Sequence, residues 1–161
     1  MTEDRLGKVD AETFERLIAP RLGADRDDVT VGPQPGVDFG VFEAGGQAIV
    51  TATDPLSFLP TLGNERAGRL ALDIVLADVA VSGVRPSHVT LSLTLPQSFG
   101  EETFAGVWRG IDAHARDLGV AVVSGHTGYY PGVEGSWVGA ATAIGVGDPG
   151  DVVRPDGARP G

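Results

Sequence analysis

The 161-residue sequence has no cysteine, one methionine and one lysine, Lys8. Without cysteine there is no disulfide and no thiolate metal site, and the redox compartment is left open. No apolar run reaches membrane-spanning length. The N-terminus, MTEDRLGKVDAE, is charged and lacks the apolar heart of a secretory signal, so a cytoplasmic protein is expected. The P-loop, G-x-S-x-G and H-E-x-x-H motifs are all missing. Residues 32–36, Gly-Pro-Gln-Pro-Gly, are too proline-rich to cradle a phosphate unaided, and no 20–50-residue repeat is present. Positive charge is also scarce. Twelve basic residues face twenty-two acidic ones, for a net charge of −10, which argues against non-specific nucleic-acid binding. Asp (14) exceeds Glu (8). Acidic, lysine-poor surfaces of this kind resemble those of proteins from salt-loving archaea, where salt relieves self-repulsion.

What is present suffices for one domain, with 42% hydrophobic residues to build a single core. Asp10 is placed to cap a helix over 11–19, with Phe14, Leu17 and Ile18 on one face and Pro20 weakening its end. Residues 23–36 read as turn-rich loop. Segments 37–43 and 47–53 read as a hairpin around Ala44-Gly45-Gly46. A helix over 64–83 follows, stopped by Gly83. Ser87–Leu95 alternates, with Val89, Leu91, Leu93 and Leu95 on one face. Residues 100–118 form a strong amphipathic pattern with Phe104, Val107, Trp108, Ile111, Ala115 and Leu118 on its stripe and His114 on the outer side. A short strand over 120–124, a Gly/Tyr-rich loop over 125–135 and a last strand over 136–146 complete the order α β β α β α β β. Helices alternating with strands imply a mixed α/β layer fold.

The residue that stands out is Asp78. With Leu70, Ile74 and Val81 read as the apolar stripe of the 64–83 helix, Asp78 lies on that stripe. A carboxylate there must be paired, protonated or bound to a cation; the other reading places it at a solvated helix edge. Asp38 and Asp54 sit at the two outer ends of the hairpin. A three-residue loop puts them diagonally on one face, ~7–8 Å apart, where they can converge on a small hard cation with phosphate oxygens. A two-residue loop shifts the register by one and puts them on opposite faces. Ser124-Gly125-His126-Thr127 reads as a polar loop at a strand's end, either a ligand position or a plain turn with His126 at the surface.

Five segments, VGPQPGVDFGVF, TATDPL, ALDIVLADVAVSGVRP, LTLP and VVSGHTGYY, occur in ordered spacing. Together they resemble the N-terminal domain of the aminoimidazole-ribonucleotide-synthetase (PurM) superfamily over about residues 17–161. That superfamily includes the purine enzyme, thiamine-monophosphate kinase, selenophosphate synthetase and the hydrogenase-maturation factor HypE. The resemblance is strongest to archaeal AIR-synthase-related, HypE-like proteins. It implies a PurM-like ATP-binding domain over 1–147 and a linker over 148–161 toward a second domain. It also implies strands pairing across a homodimer into a β-barrel, with ATP and Mg2+ bound near that interface. By resemblance Asp38, Asp54 and Asp78 are metal or metal-phosphate contacts, and His126 and Thr127 flank the phosphates. The implied chemistry is activation of an oxygen by phosphoryl transfer. The acceptor is a small molecule or a protein thiocarboxamide, and no catalytic residue is assigned. Two departures from the pattern involve three positions. His126 stands where relatives carry an acidic residue, and Val75 and Ala77 stand where they tend to carry asparagine. The alternative is a degenerate, non-catalytic domain kept for dimerisation or regulation.

Overall fold

The computed structural model describes residues 7–133 and 137–158. The elements run α1 (Ala11–Leu17), β1 (Val29–Val31), β2 (Gly40–Ala44), β3 (Gln47–Ser57), α2 (Asn64–Ala80), β4 (Pro86–Pro96), α3 (Glu101–Leu118), β5 (Ala121–Tyr130) and β6 (Trp137–Gly147). The six strands form one mixed sheet in the order β1-β2-β3-β6-β4-β5. β4 and β5 are parallel, joined by α3 as crossover, and the other neighbours are antiparallel. This is the mixed α/β fold expected from the element order. One strand is added: β1 lies inside the segment read as loop, because three residues between turns show no alternation to read. The last strand was expected to start at Ser136, which lies outside the described residues.

Period-two burial explains which face of the sheet is covered. Ala48, Val50, Ala52 and Leu56 of β3 are buried, as are Ala141 and Ala143 of β6 and Val89, Leu91, Leu93 and Leu95 of β4. Cross-strand pairs such as Ala52↔Ala143 and Val89↔Ala143 put these side chains on one face. Helices α2 and α3 lie over it. The face of α2 turned to the core is Ala67, Gly68, Ala71, Leu72, Val75, Leu76 and Val79. This corrects the stripe read from the sequence: Ile74 is 49% and Val81 64% exposed. Alanine and glycine count little in a hydrophobicity reading, yet they make the close side of this helix. An added Cβ at Gly68 would lie 2.1 Å from the Val107 carbonyl oxygen, and one at Gly110 2.0 Å from that of Glu65. Backbone against backbone is how α2 and α3 meet. On α3 the expected stripe holds: Val107, Ile111 and Ala115 are buried, with Phe104, Trp108 and Leu118 partly so. His114, expected on the outer side, is buried instead and bonds Asp73 of α2 through Nε2. The neighbouring glycine at 110 brings α2 close enough to cover it.

Three further expectations change. The hairpin loop has two residues, since Ala44 pairs with Gln47, so Gly40 faces Thr51. β5 continues through Gly125-His126-Thr127 to Tyr130, so this stretch is strand rather than loop. α1 ends at Leu17, followed by a 3-10 turn over Ala19–Arg21. Asp10 does cap α1, accepting the Thr13 N–H at 2.8 Å, but the helix buries none of its residues. Among the described residues no helix is long and apolar enough to cross a membrane.

Candidate functional site

Asp54 belongs to the even-numbered, helix-facing set of β3, between buried Ala52 and Leu56. Asp78 sits one helical turn beyond Val75 and beside Val79, at the border of the buried face of α2. It meets Asp54 there, close enough for the two carboxyls to hydrogen-bond when one is protonated. Asp78 therefore reaches the site for a reason other than the one its sequence stripe suggested. Two carboxyl groups share a hydrogen bond only if one carries a proton. Accordingly the Asp78 carboxyl is pushed up to about 6, first by burial, then by the Asp54 hydrogen bond and the charges of Asp54 and Asp38, with Lys8 opposing.

Asp38 is exposed and precedes β2 in irregular backbone. The two-residue hairpin loop would carry it to the face opposite Asp54 if strand geometry continued. Because β2 starts only at Gly40, the alternation does not bind Asp38, and its charge still acts on Asp78. The Lys8 ammonium lies 2.6 Å from Asp38 Oδ1. Its pKa is raised by the hydrogen bond and charge of Asp38, and further by Asp54 and Asp78. Sequence reasoning gave Lys8 no role; that it is the only lysine of the chain was the available signal.

His126 and Thr127 are not brought to these carboxylates. The sheet places β5 three strand spacings from β3, about 14 Å. His126 pairs with Ser92 and Ser92 with Ala140, which puts its side chain on the sheet face opposite Asp54; Thr127, opposite Leu93, points to the helix side. His126 Nε2 is 2.6 Å from the Tyr130 hydroxyl.

The donor set is all oxygen, anionic and clustered at one α2–β3 border. That chemistry suits a hard divalent cation. Among the described residues no three such groups converge to enclose a metal unaided. Two carboxylates plus ligand phosphates is the arrangement magnesium accepts, so the residues fit a phosphate-borne Mg2+ better than a closed protein cage.

The AIR synthase related protein family, N-terminal domain, matches residues 36–147. The chain belongs to this family. A provisionally named hydrogenase expression/formation protein of Methanocaldococcus jannaschii is 28% identical over 150 residues, which is 92% of this chain and 44% of that protein. The solved structure of hydrogenase maturation protein HypE in complex with ATP superposes with a TM-score of 0.63 at 25% identity, covering 93% of this chain and 41% of HypE. A ThiL complexed with AMPPCP and TMP gives a TM-score of 0.68 at 24% identity over 78% of this chain and 40% of that one, which shows the shared fold. The chain thus spans less than half the length of these relatives. The family match contains Asp38, Asp54, Asp78, His126 and Thr127 and leaves Lys8 outside it.

Proposed function

We propose that this AIR-synthase-related domain is the nucleotide-binding half of an ATP- and Mg2+-dependent enzyme that activates an oxygen by phosphoryl transfer, in the manner of HypE or thiamine-monophosphate kinase. The observation that carries the reading is the close Asp54–Asp78 carboxyl pair at the α2–β3 border, with the charge of Asp38 acting on it. Two acids held together in a half-buried setting repel when ionised, a cost that a cation removes. HypE, the relative solved with ATP, supports a nucleotide as the ligand. A bound Mg2+ would neutralise phosphate charge, leaving the protein the task of positioning. Asp54 and Asp78 would hold the cation from the α2–β3 border, and Asp38 would approach once released from Lys8.

His126 and Thr127 would flank the phosphates, and their distance from the carboxylates within one chain points to a second copy as their route to the site. A homodimer closing a β-barrel supplies that copy. The sheet face turned away from α2 and α3 supports it, since Phe42 and Val146 are exposed there. Residues 148–161 would then lead into a second domain. The acceptor would be a small molecule or a protein thiocarboxamide.

The degenerate-domain alternative draws on His126, whose ring is engaged by Tyr130 rather than left open. Asp78→Asn separates the two. It keeps the shape and removes the charge. With a cation site, Mg-ATP binding measured by calorimetry falls tenfold or more, on the order of 1.4 kcal/mol or above. Thermal stability without ligand holds or rises. If nucleotide affinity is unchanged and stability falls, Asp78 is a structural residue and the reading is lost.

A further inference from the structure

We propose that Lys8 serves as a built-in stand-in for the cation of the acidic cluster. A divalent metal displaces it, and its displacement releases the segment 7–18 from the domain. This rests on the metal reading above.

The geometry comes first. The chain has one lysine, and its ammonium is 2.6 Å from Asp38 Oδ1, in the field of Asp54 and Asp78 as well. A cation held on Asp38, with the charges of Asp54 and Asp78 acting on it, offsets the repulsion of the carboxylates as a metal would. The pair is also poorly protected, with Lys8 81% and Asp38 53% exposed. Exposed ion pairs are weak. An ammonium brings a single charge and hydrogen bonds. A divalent ion brings twice the charge and direct bonds to oxygen, so it wins the exchange.

The segment carrying Lys8 is built to leave. α1 buries none of its residues, and Leu17 and Ile18 are 50% and 39% exposed. Val9, Ala11 and Phe14 form one wall of an open cavity of about 380 Å3 against Gln34, Pro35 and Val37, rather than a packed contact. Little apolar burial resists separation once the charge pair opens. Lys8 is a positioning residue in this scheme: it touches no reacting atom and acts through Asp38.

The test uses the full chain and Mn2+ alone as probe. Free Mn2+ is counted by electron paramagnetic resonance, and cleavage at Phe14 by chymotrypsin reports the segment. Wild type should bind Mn2+, and adding Mn2+ should speed cleavage at Phe14. Lys8→Met should bind about threefold more tightly, the size of one exposed ion pair, and should be cleaved fast without metal. Lys8→Arg should restore both wild-type behaviours. Equal Mn2+ affinity in wild type and Lys8→Met, weaker binding in Lys8→Met, or cleavage indifferent to Mn2+ overturns the Lys8 proposal and leaves the metal reading standing. If none of the proteins binds Mn2+ alone, the Lys8 proposal falls and the phosphate-borne metal reading stands; if Asp78→Asn binds as wild type does, both fall.

Discussion

β3 and β5 are nearly equal in length, eleven and ten residues, and each has three residues that are valine or alanine, yet they live in different surroundings. β3 lies mid-sheet under α2 and buries Ala48, Val50, Ala52 and Leu56 completely or nearly so. β5 is one of the two edge strands and has no buried residue; Val122, Val123, Tyr129 and Tyr130 are between 39% and 53% exposed. Composition does not separate them. Position in the sheet order does. A strand becomes core only where a helix covers it, and two helices cannot cover six strands. The bare strand and the bare outer face are where this domain has surface to offer a partner.

The strongest way to break the comparison is a pair of truncations. Leu93→Ala, in the covered strand β4, should lower unfolding free energy by about 3 kcal/mol in urea denaturation. Val123→Ala, in β5, should change it by less than about 0.5 kcal/mol. A loss above about 1 kcal/mol at Val123 would show that β5 is covered in solution after all.

Dimerisation sharpens the contrast on the outer face. Phe42 pairs with Ile49 there and is 37% exposed. If the bare face pairs two chains, wild type in molar potassium chloride sediments as a dimer, and Phe42→Asp sediments as a folded monomer. A wild-type monomer under those conditions removes the dimer from the proposal.

The smallest effect is the pH dependence that comes from Asp78. Because the folded carboxyl titrates at about 6 and the ordinary value is 3.8, the folded chain holds a proton that the unfolded chain has lost across that window. Lowering the pH from 7 toward 4 should therefore stabilise wild type relative to Asp78→Asn, with the gain complete below the ordinary value and absent above about 6. Solvent exposure limits the difference to under about 1 kcal/mol. A difference between the two proteins that does not change with pH would show that burial and the neighbouring carboxylates do not raise the Asp78 carboxyl.

Much of the fold was legible in the sequence. The strand over 87–95 announced its buried set by strict alternation, and the α3 stripe by its large residues. β1 was too short to show a period. The α2 face was misread because its close side is alanine and glycine, while its large residues Ile74 and Val81 point to solvent. The sequence reading set Asp38 beside Asp54 across the hairpin and Asp78 on a helix stripe; the structure sets Asp54 beside Asp78, by a different register and a different helix face. His114 was missed because burial against a glycine-mediated helix crossing leaves no mark in hydrophobicity. Lys8 was missed because a lone charge near a chain start carries no pattern; only its rarity marked it.

The glycine contact between α2 and α3 also turns α2 into a lever. It is clamped at Glu65 and Gly68, where backbone touches backbone, and it carries Asp78 near its far end. Thirteen residues of helix separate Glu65 from Asp78, roughly 20 Å at 1.5 Å per residue. A tilt of about 3° at the fulcrum, the size of disturbance a single added methyl at Gly110 could force, then swings the carboxylate by about 1 Å, enough to spoil alignment at a reacting centre. The alignment of the acidic pair is thus written in part at a place where no acid stands.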